Sequence, residues 1–171
     1  MTEHPRTPPE PDVDPDEFRR AVGRFATGIA IVSTVVDGVD HAMTVNAFTS
    51  VSLDPLLVLF CAEKIARFHD AVISAGEWSV SVLGAGGQDA SQWFATRGRP
   101  LERQLTGWPT VRGARTGTAI FGSAIAGLEC RTHAVHDGGD HSIVVGEVLS
   151  VSLPHAGDAP LLYYQGRYHS I

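Results

Sequence analysis

The sequence predicts a mainly β protein, a barrel or sandwich with a few flanking helices, on three observations. Seven or so short runs are β-branched or alternate apolar with polar residues, as strands do. Turn pairs such as Asp37-Gly38 and Gln165-Gly166 separate several of them at hairpin spacing. Helical periodicity is confined to a few short segments, so the strand–helix alternation of a doubly wound sheet is missing.

At 171 residues one domain is expected, over residues 15–171, and it needs no disulfide or metal staple. Residues 1–14 hold Pro5, Pro8, Pro9 and Pro11 among acids and small polar groups, a composition that predicts a loose, disordered tail. A formal charge of −6 argues against nucleic acid and anionic lipid as partners. No charged-then-apolar leader and no run of about eighteen apolar residues occurs, so a cytoplasmic chain is expected. Cys61 and Cys130 lie far apart in apolar surroundings, and no Cys-x-x-Cys pair supports a zinc ribbon or redox motif.

The elements follow in order. Asp14, Pro15 and Glu17 form a helix start, Phe18, Val22 and Phe25 share a face, and Gly28 is a plausible stop. Ile29–Val36 is a β-branched strand, Asp37-Gly38 a tight turn, and a second strand runs from Val39 into Thr44. Leu56–Phe60 is a continuous apolar run, expected to be buried on both faces. Residues 64–75 read as a helix with Ile65, Phe68, Val72 and Ala75 aligned and Gly76 closing it. Trp78–Leu83 alternates as a strand, and a short helix covers Ala90–Thr96. Residues 97–117 form a long irregular excursion. Ile125–His136 and Ser142–Leu153 are long strands about the Asp137–Asp140 turn, and a hairpin at Gln165-Gly166 ends the chain.

Thr44–Ser52 is the informative stretch. If it is one extended strand, Thr44, Asn46, Phe48, Ser50 and Ser52 share a face. No charge occurs from Ala42 to Leu53, although a solvated face would usually carry Lys or Glu. Such a face suits a ligand that takes several hydrogen bonds; a polar segment tying up its own backbone is the alternative reading. His133, His136 and His141 cluster, but the first two point to opposite faces of a strand, so a zinc site is not expected. No Gly-x-Ser-x-Gly and no lysine phosphate loop is present. Gly84-Ala-Gly86 begins a dinucleotide pattern, but Asp89 replaces its third glycine.

From about Phe18 to Tyr168 the chain resembles the short-chain flavin reductase family, whose fold is the FMN-binding split barrel. The matching blocks are Phe18–Gly28, Ala42–Pro55, Leu57–Cys61, Trp78–Leu83, Gly138–Ile143 and Pro160–Tyr168, in order and at matching spacing. The resemblance implies a split β-barrel with flanking α-helices. It also implies that Thr44, Val45, Asn46 and Ala47 line the isoalloxazine ring, with Thr49, Ser50, Val51 and Ser52 nearby and Thr27 beside the ring. Cys61, Ala62 and the next helix N-terminus would hold the ribityl phosphate. Where relatives place Ser and Thr, this chain reads Glu63-Lys-Ile-Ala-Arg67, so Lys64 and Arg67 become phosphate ligands or, equally, a solvated helix face. Residues 93–108 depart too, on the side that borders the nicotinamide.

His141, in a Gly-Asp-His turn, is the implied catalytic residue, positioning and tuning the ring electrostatically. The implied protein is a homodimeric NAD(P)H-dependent flavin reductase using FMN or FAD, with NADH or NADPH as donor. Reduced flavin would diffuse to a separate monooxygenase. A flavin carrier or sensor without turnover, and a same-fold flavoenzyme acting on an organic substrate, are the alternatives.

Overall fold

Asp14 accepts a 2.8 Å hydrogen bond from the Asp16 N–H, and Pro15 at the first helical position has no amide to satisfy. In the computed structural model, which describes residues 13–171, these residues open α1 (Pro15–Val22). The predicted tail over 1–14 thus lies almost wholly outside the described residues. α1 stops at Gly23, short of the predicted Gly28, because the Gly23 carbonyl is captured by the Gln165 N–H of the C-terminal hairpin at 3.0 Å. The chain then turns into β1 (Thr27–Gly28), which pairs with β11 (Leu161–Tyr164). Phe25 therefore leaves the helix, and Phe18, Val22 and Phe25 stay more than half exposed.

The body is one antiparallel sheet. β2 (Ala30–Val36) and β3 (Val39–Val45) form a hairpin whose turn, Asp37 (φ 50°) and Gly38 (φ 77°), is left-handed at both central residues. β4 (Phe48–Leu53), β5 (Leu56–Glu63), β6 (Glu77–Leu83), β9 (Ala124–Gly138) and β10 (His141–Ser152) complete the order β3-β2-β6-β9-β10-β5-β4. β7 (Thr110–Arg112) pairs with β8 (Ala119–Phe121), so a strand interrupts the predicted 97–117 excursion. β12 (Arg167–Ser170) closes the last hairpin. The predicted mainly β class with flanking helices is what forms.

The two edge strands, β3 and β4, are consecutive in the chain. Only Asn46 and Ala47 join them, so the edges lie within about 11 Å of each other at that end. The sheet therefore wraps round on itself while β3 and β4 stay unpaired. This corrects the reading of Thr44–Ser52 as one strand: it is the end of β3, a bend and then β4.

Alternate residues of β2, with Ile29 just before it, feed two cores. Ala30 and Val32 join Phe60, Phe68, Val72, Trp78 and Val144, whereas Ile29 and Ile31 join Leu83, Phe94, Phe121 and Leu161. β2, like β6, is thus buried on both faces, whereas β5, expected to be, is not. β5 lies next to the edge, so Val58, Phe60 and Ala62 are buried while Leu57, Leu59 and Cys61 remain half-exposed. Phe60 and Trp78 meet edge-on at 4.9 Å. Gly146 permits this contact, because a Cβ there would sit 2.2 Å from the Trp78 ring.

α2 (Arg67–Ala75) starts three residues later than predicted, leaving Ile65 77% exposed. The Lys64 N–H is taken by the Asp140 carbonyl and the Ala66 N–H by that of Glu63, which makes a turn where the helix was expected. Gly76 (φ 70°) closes α2 as predicted. α3 (Gln88–Ala95) covers the β2 side of the second core.

Candidate functional site

The bend between β3 and β4 frames a hollow in the structure. Asn46 and Ala47 belong to neither ladder and are exposed; the Ala47 carbonyl is fixed by the Cys61 N–H at 3.1 Å. The hollow, about 540 Å³, lies within the range of small-molecule sites. It runs from this bend along β3, past the end of β5 and the start of α2, and under the segment after α3.

Seven of the predicted site residues line it: Thr44, Val45, Asn46, Ala47, Cys61, Arg67 and His141. They come from β3, the bend after it, β5, α2 and β10, far apart in sequence. The Thr44 hydroxyl donates to the Ser91 carbonyl at 2.7 Å, and the Ser91 hydroxyl meets Tyr168 Oη at 3.0 Å. With its proton committed, Thr44 can only accept from a ligand.

The other seven are elsewhere. Ala62 is fully buried in the first core, on the opposite side of β5 from Cys61. Thr49, Ser50, Val51 and Ser52 run along β4, beyond the bend, and the first three are exposed. Thr27 sits in β1 opposite Tyr163, not at a helix end, and its buried hydroxyl has no partner. Lys64 pairs with Asp137 on the β9–β10 hairpin and does not line the hollow.

The hairpin places His141. Its Nδ1 lies 2.7 Å from Asp140 Oδ1, and hydrogen bonding to His141 holds the Asp140 carboxyl below its usual range. This leaves Nε2 for a ligand. Lys64 steadies the hairpin, through its side chain at Asp137 and its amide at Asp140, 2.9 Å.

The opposite wall comes from the segment after α3, within the residues 93–108 that the resemblance put on the nicotinamide side, but its arginine contacts were not foreseen. Arg97 reaches both Glu63 oxygens at 2.7 and 2.9 Å. Arg99 donates to the carbonyls of Ala42 (2.7 Å) and Phe94 (2.8 Å), and stacks 5.3 Å from the Phe94 ring centre. Arg67 donates to the Arg99 carbonyl at 3.0 Å. Among the described residues, neither Arg67 nor Arg99 has a carboxylate within ion-pair distance. Burial and then the Arg67 charge pull the His41 pKa below its ordinary value, against Asp40. The same two causes lower the Arg99 pKa. Besides the resemblance, the basic content of 97–103 is the signal of this wall in the sequence. Chemically, the hollow joins a backbone bend and a carboxylate-backed histidine to an uncompensated cationic end, which suits a planar ligand with an anionic tail.

Residues 22–171 match the family described as flavin reductase like domain. An NADH-dependent FAD reductase of Streptomyces globisporus is 38% identical over 167 residues, spanning 94% of this chain and 90% of its own. The reductase subunit HsaB of a flavin-dependent monooxygenase from Mycobacterium tuberculosis is 37% identical over 160 residues, 93% of this chain and 83% of its own. Among solved structures, BorF, the flavin reductase component of a bacterial two-component tryptophan halogenase, superposes with TM-score 0.86 at 39% identity. That match covers 92% of this chain and 98% of BorF. With a sheet whose edges meet at the Asn46–Ala47 bend and a match over nearly its whole length, the chain belongs to the flavin reductase like domain family.

Proposed function

We propose that this protein is an NAD(P)H-dependent flavin reductase that reduces FMN or FAD and releases the product to a separate monooxygenase. The observation that carries this is the convergence of Thr44–Ala47, Cys61, Arg67 and His141 on one hollow. The residues fit a flavin: the uncharged bend takes the ring, and Arg67, at the first turn of a helix without a side-chain cap, takes the phosphate. Bound flavin supplies the hydride acceptor. Asn46 and Ala47 present backbone and amide groups to the ring edge, and Thr44 accepts from it. His141, oriented by Asp140, sets the electrostatics of the face where a nicotinamide would stack.

A homodimer is part of this reading. Phe18, Val22 and Phe25, with Leu53 and Leu56 at the β4–β5 turn, are apolar and half or more exposed, as faces awaiting a second copy are. Both cysteines are free, which suits the reducing cytoplasm, and no described helix is long and apolar enough to cross a membrane. Steady-state oxidation of NADH and NADPH, with FMN or FAD varied, tests the assignment. Saturable, flavin-dependent turnover is expected. Tight stoichiometric flavin without turnover would instead make the protein a carrier. His141→Ala is expected to slow hydride transfer, and unchanged transfer would remove its role.

A further inference from the structure

Three guanidiniums line the hollow, those of Arg67, Arg97 and Arg99, but one carboxylate, that of Glu63. Glu63 on β5 pairs in register with His141 on β10, so the two side chains leave the sheet on the same face, into the hollow. Its carbonyl accepts from the Ala66 N–H at 3.0 Å, in a turn that leads into Arg67. The carboxylate thus enters the hollow one turn ahead of the phosphate end. It is within reach of a ligand, because its side chain is 28% exposed. Its partner is Arg97, whose Nη2 bonds both oxygens while the side chain stays 74% exposed. An ion pair so open to solvent adds little stability, so holding the fold together does not account for the charge.

A second link runs between the same two segments, where Arg67 donates to the Arg99 carbonyl at 3.0 Å. The two links respond differently to an anion. A phosphate at Arg67 meets a cation that no carboxylate answers among the described residues. The same phosphate is repelled by Glu63 and has to compete with it for Arg97. We propose that Glu63 sets how loosely the hollow holds a phosphorylated ligand. Its charge opposes the phosphate and its ion pair withholds Arg97, which favours release of the flavin once it is reduced. This role rests on the flavin reductase reading only in naming flavin as the bearer of the phosphate.

Calorimetric titration of the full chain with FMN, riboflavin and inorganic pyrophosphate tests it on wild type, Glu63→Gln, Glu63→Ser and Glu63→Asp. Glu63→Gln removes the charge and frees Arg97. It is expected to tighten FMN at least fivefold, mostly through slower dissociation, while riboflavin, which has no phosphate, changes less than twofold. Glu63→Ser, equally neutral, is expected to do the same and decides the matter if Glu63→Gln fails to fold. Glu63→Asp keeps the charge and is expected to stay within twofold of wild type for FMN. A damaged fold does not imitate a gain in affinity. If Glu63 only braces the two walls, the neutral variants weaken FMN and riboflavin alike. That result, or FMN affinity equal in wild type and both neutral variants, overturns the proposal. Pyrophosphate keeps it apart from the flavin reading. Tighter pyrophosphate binding in the neutral variants, with no affinity for FMN in any of the proteins, would sink the reductase reading and leave the role of Glu63 standing.

Discussion

Replacing Lys64 by Met separates two roles that the sequence left together. The sequence leaves Lys64 and Arg67 equally as phosphate ligands or as a solvated helix face, and only Arg67 lines the hollow. The Lys64 ammonium is engaged by Asp137 in an ion pair whose side chains are 39% and 80% exposed. A bridge so exposed contributes almost nothing to stability, so the melting temperature is expected to move little. The ratio of riboflavin to FMN dissociation constants isolates the phosphate contribution, because riboflavin lacks it. A hydrogen bond to a charged group is worth about 1.5–3 kcal/mol, or about ten- to a hundredfold in that ratio. Lys64→Met is expected to leave the ratio within twofold of wild type, and Arg67→Gln to reduce it at least tenfold. A tenfold fall in Lys64→Met with none in Arg67→Gln would refute the reasoning.

Three further outcomes follow from the packing. Burial raises the Cys61 thiol, but it is half-exposed on the hollow's wall, whereas Cys130 is fully buried and pushed up to about 12. Iodoacetamide at pH 8 is therefore expected to modify Cys61 alone, more slowly with FMN bound, as peptide mass mapping would report. Gly146→Ala drives a methyl against Trp78 and is expected to cost about 1–3 kcal/mol, lowering the melting temperature by roughly 3–10 °C in calorimetry. Glu129 is 3% exposed and accepts from the Thr116 amide and hydroxyl and the Arg115 amide; despite burial, these bonds lower its pKa. The depressed folded value adds stability above the unfolded pKa of about 4.3, lost as pH falls through the folded one. Glu129→Gln is expected to be less stable to urea at pH 7, with the gap closing below about pH 4.

Local chemistry made most of the fold legible. Asp37-Gly38 and Gln165-Gly166 forced two hairpins, and Asp14-Pro15 opened α1 where expected. What escaped was long-range. Alternation in Thr44–Ser52 runs unbroken through a bend that exists because the sheet brings its two edges together. α1 ends early because a carbonyl is claimed by Gln165 from the far end of the chain. In the site, the stretch 44–47 that lines the hollow could be read from its lack of charge, whereas the choice for Lys64 between phosphate ligand and solvated face is decided by Asp137, 73 residues away. Nothing local marks Gln104 as buried, because the Asp40 carbonyl that anchors it lies on another element.

The central claim is that flavin binds in the hollow between the Asn46–Ala47 bend and His141. A crystal structure of the protein soaked with FMN tests it most directly. The isoalloxazine is expected against Thr44–Ala47, with His141 on the same hollow and the phosphate within hydrogen-bond reach of Arg67. Flavin density on another surface, with this hollow empty at saturating FMN, would contradict it.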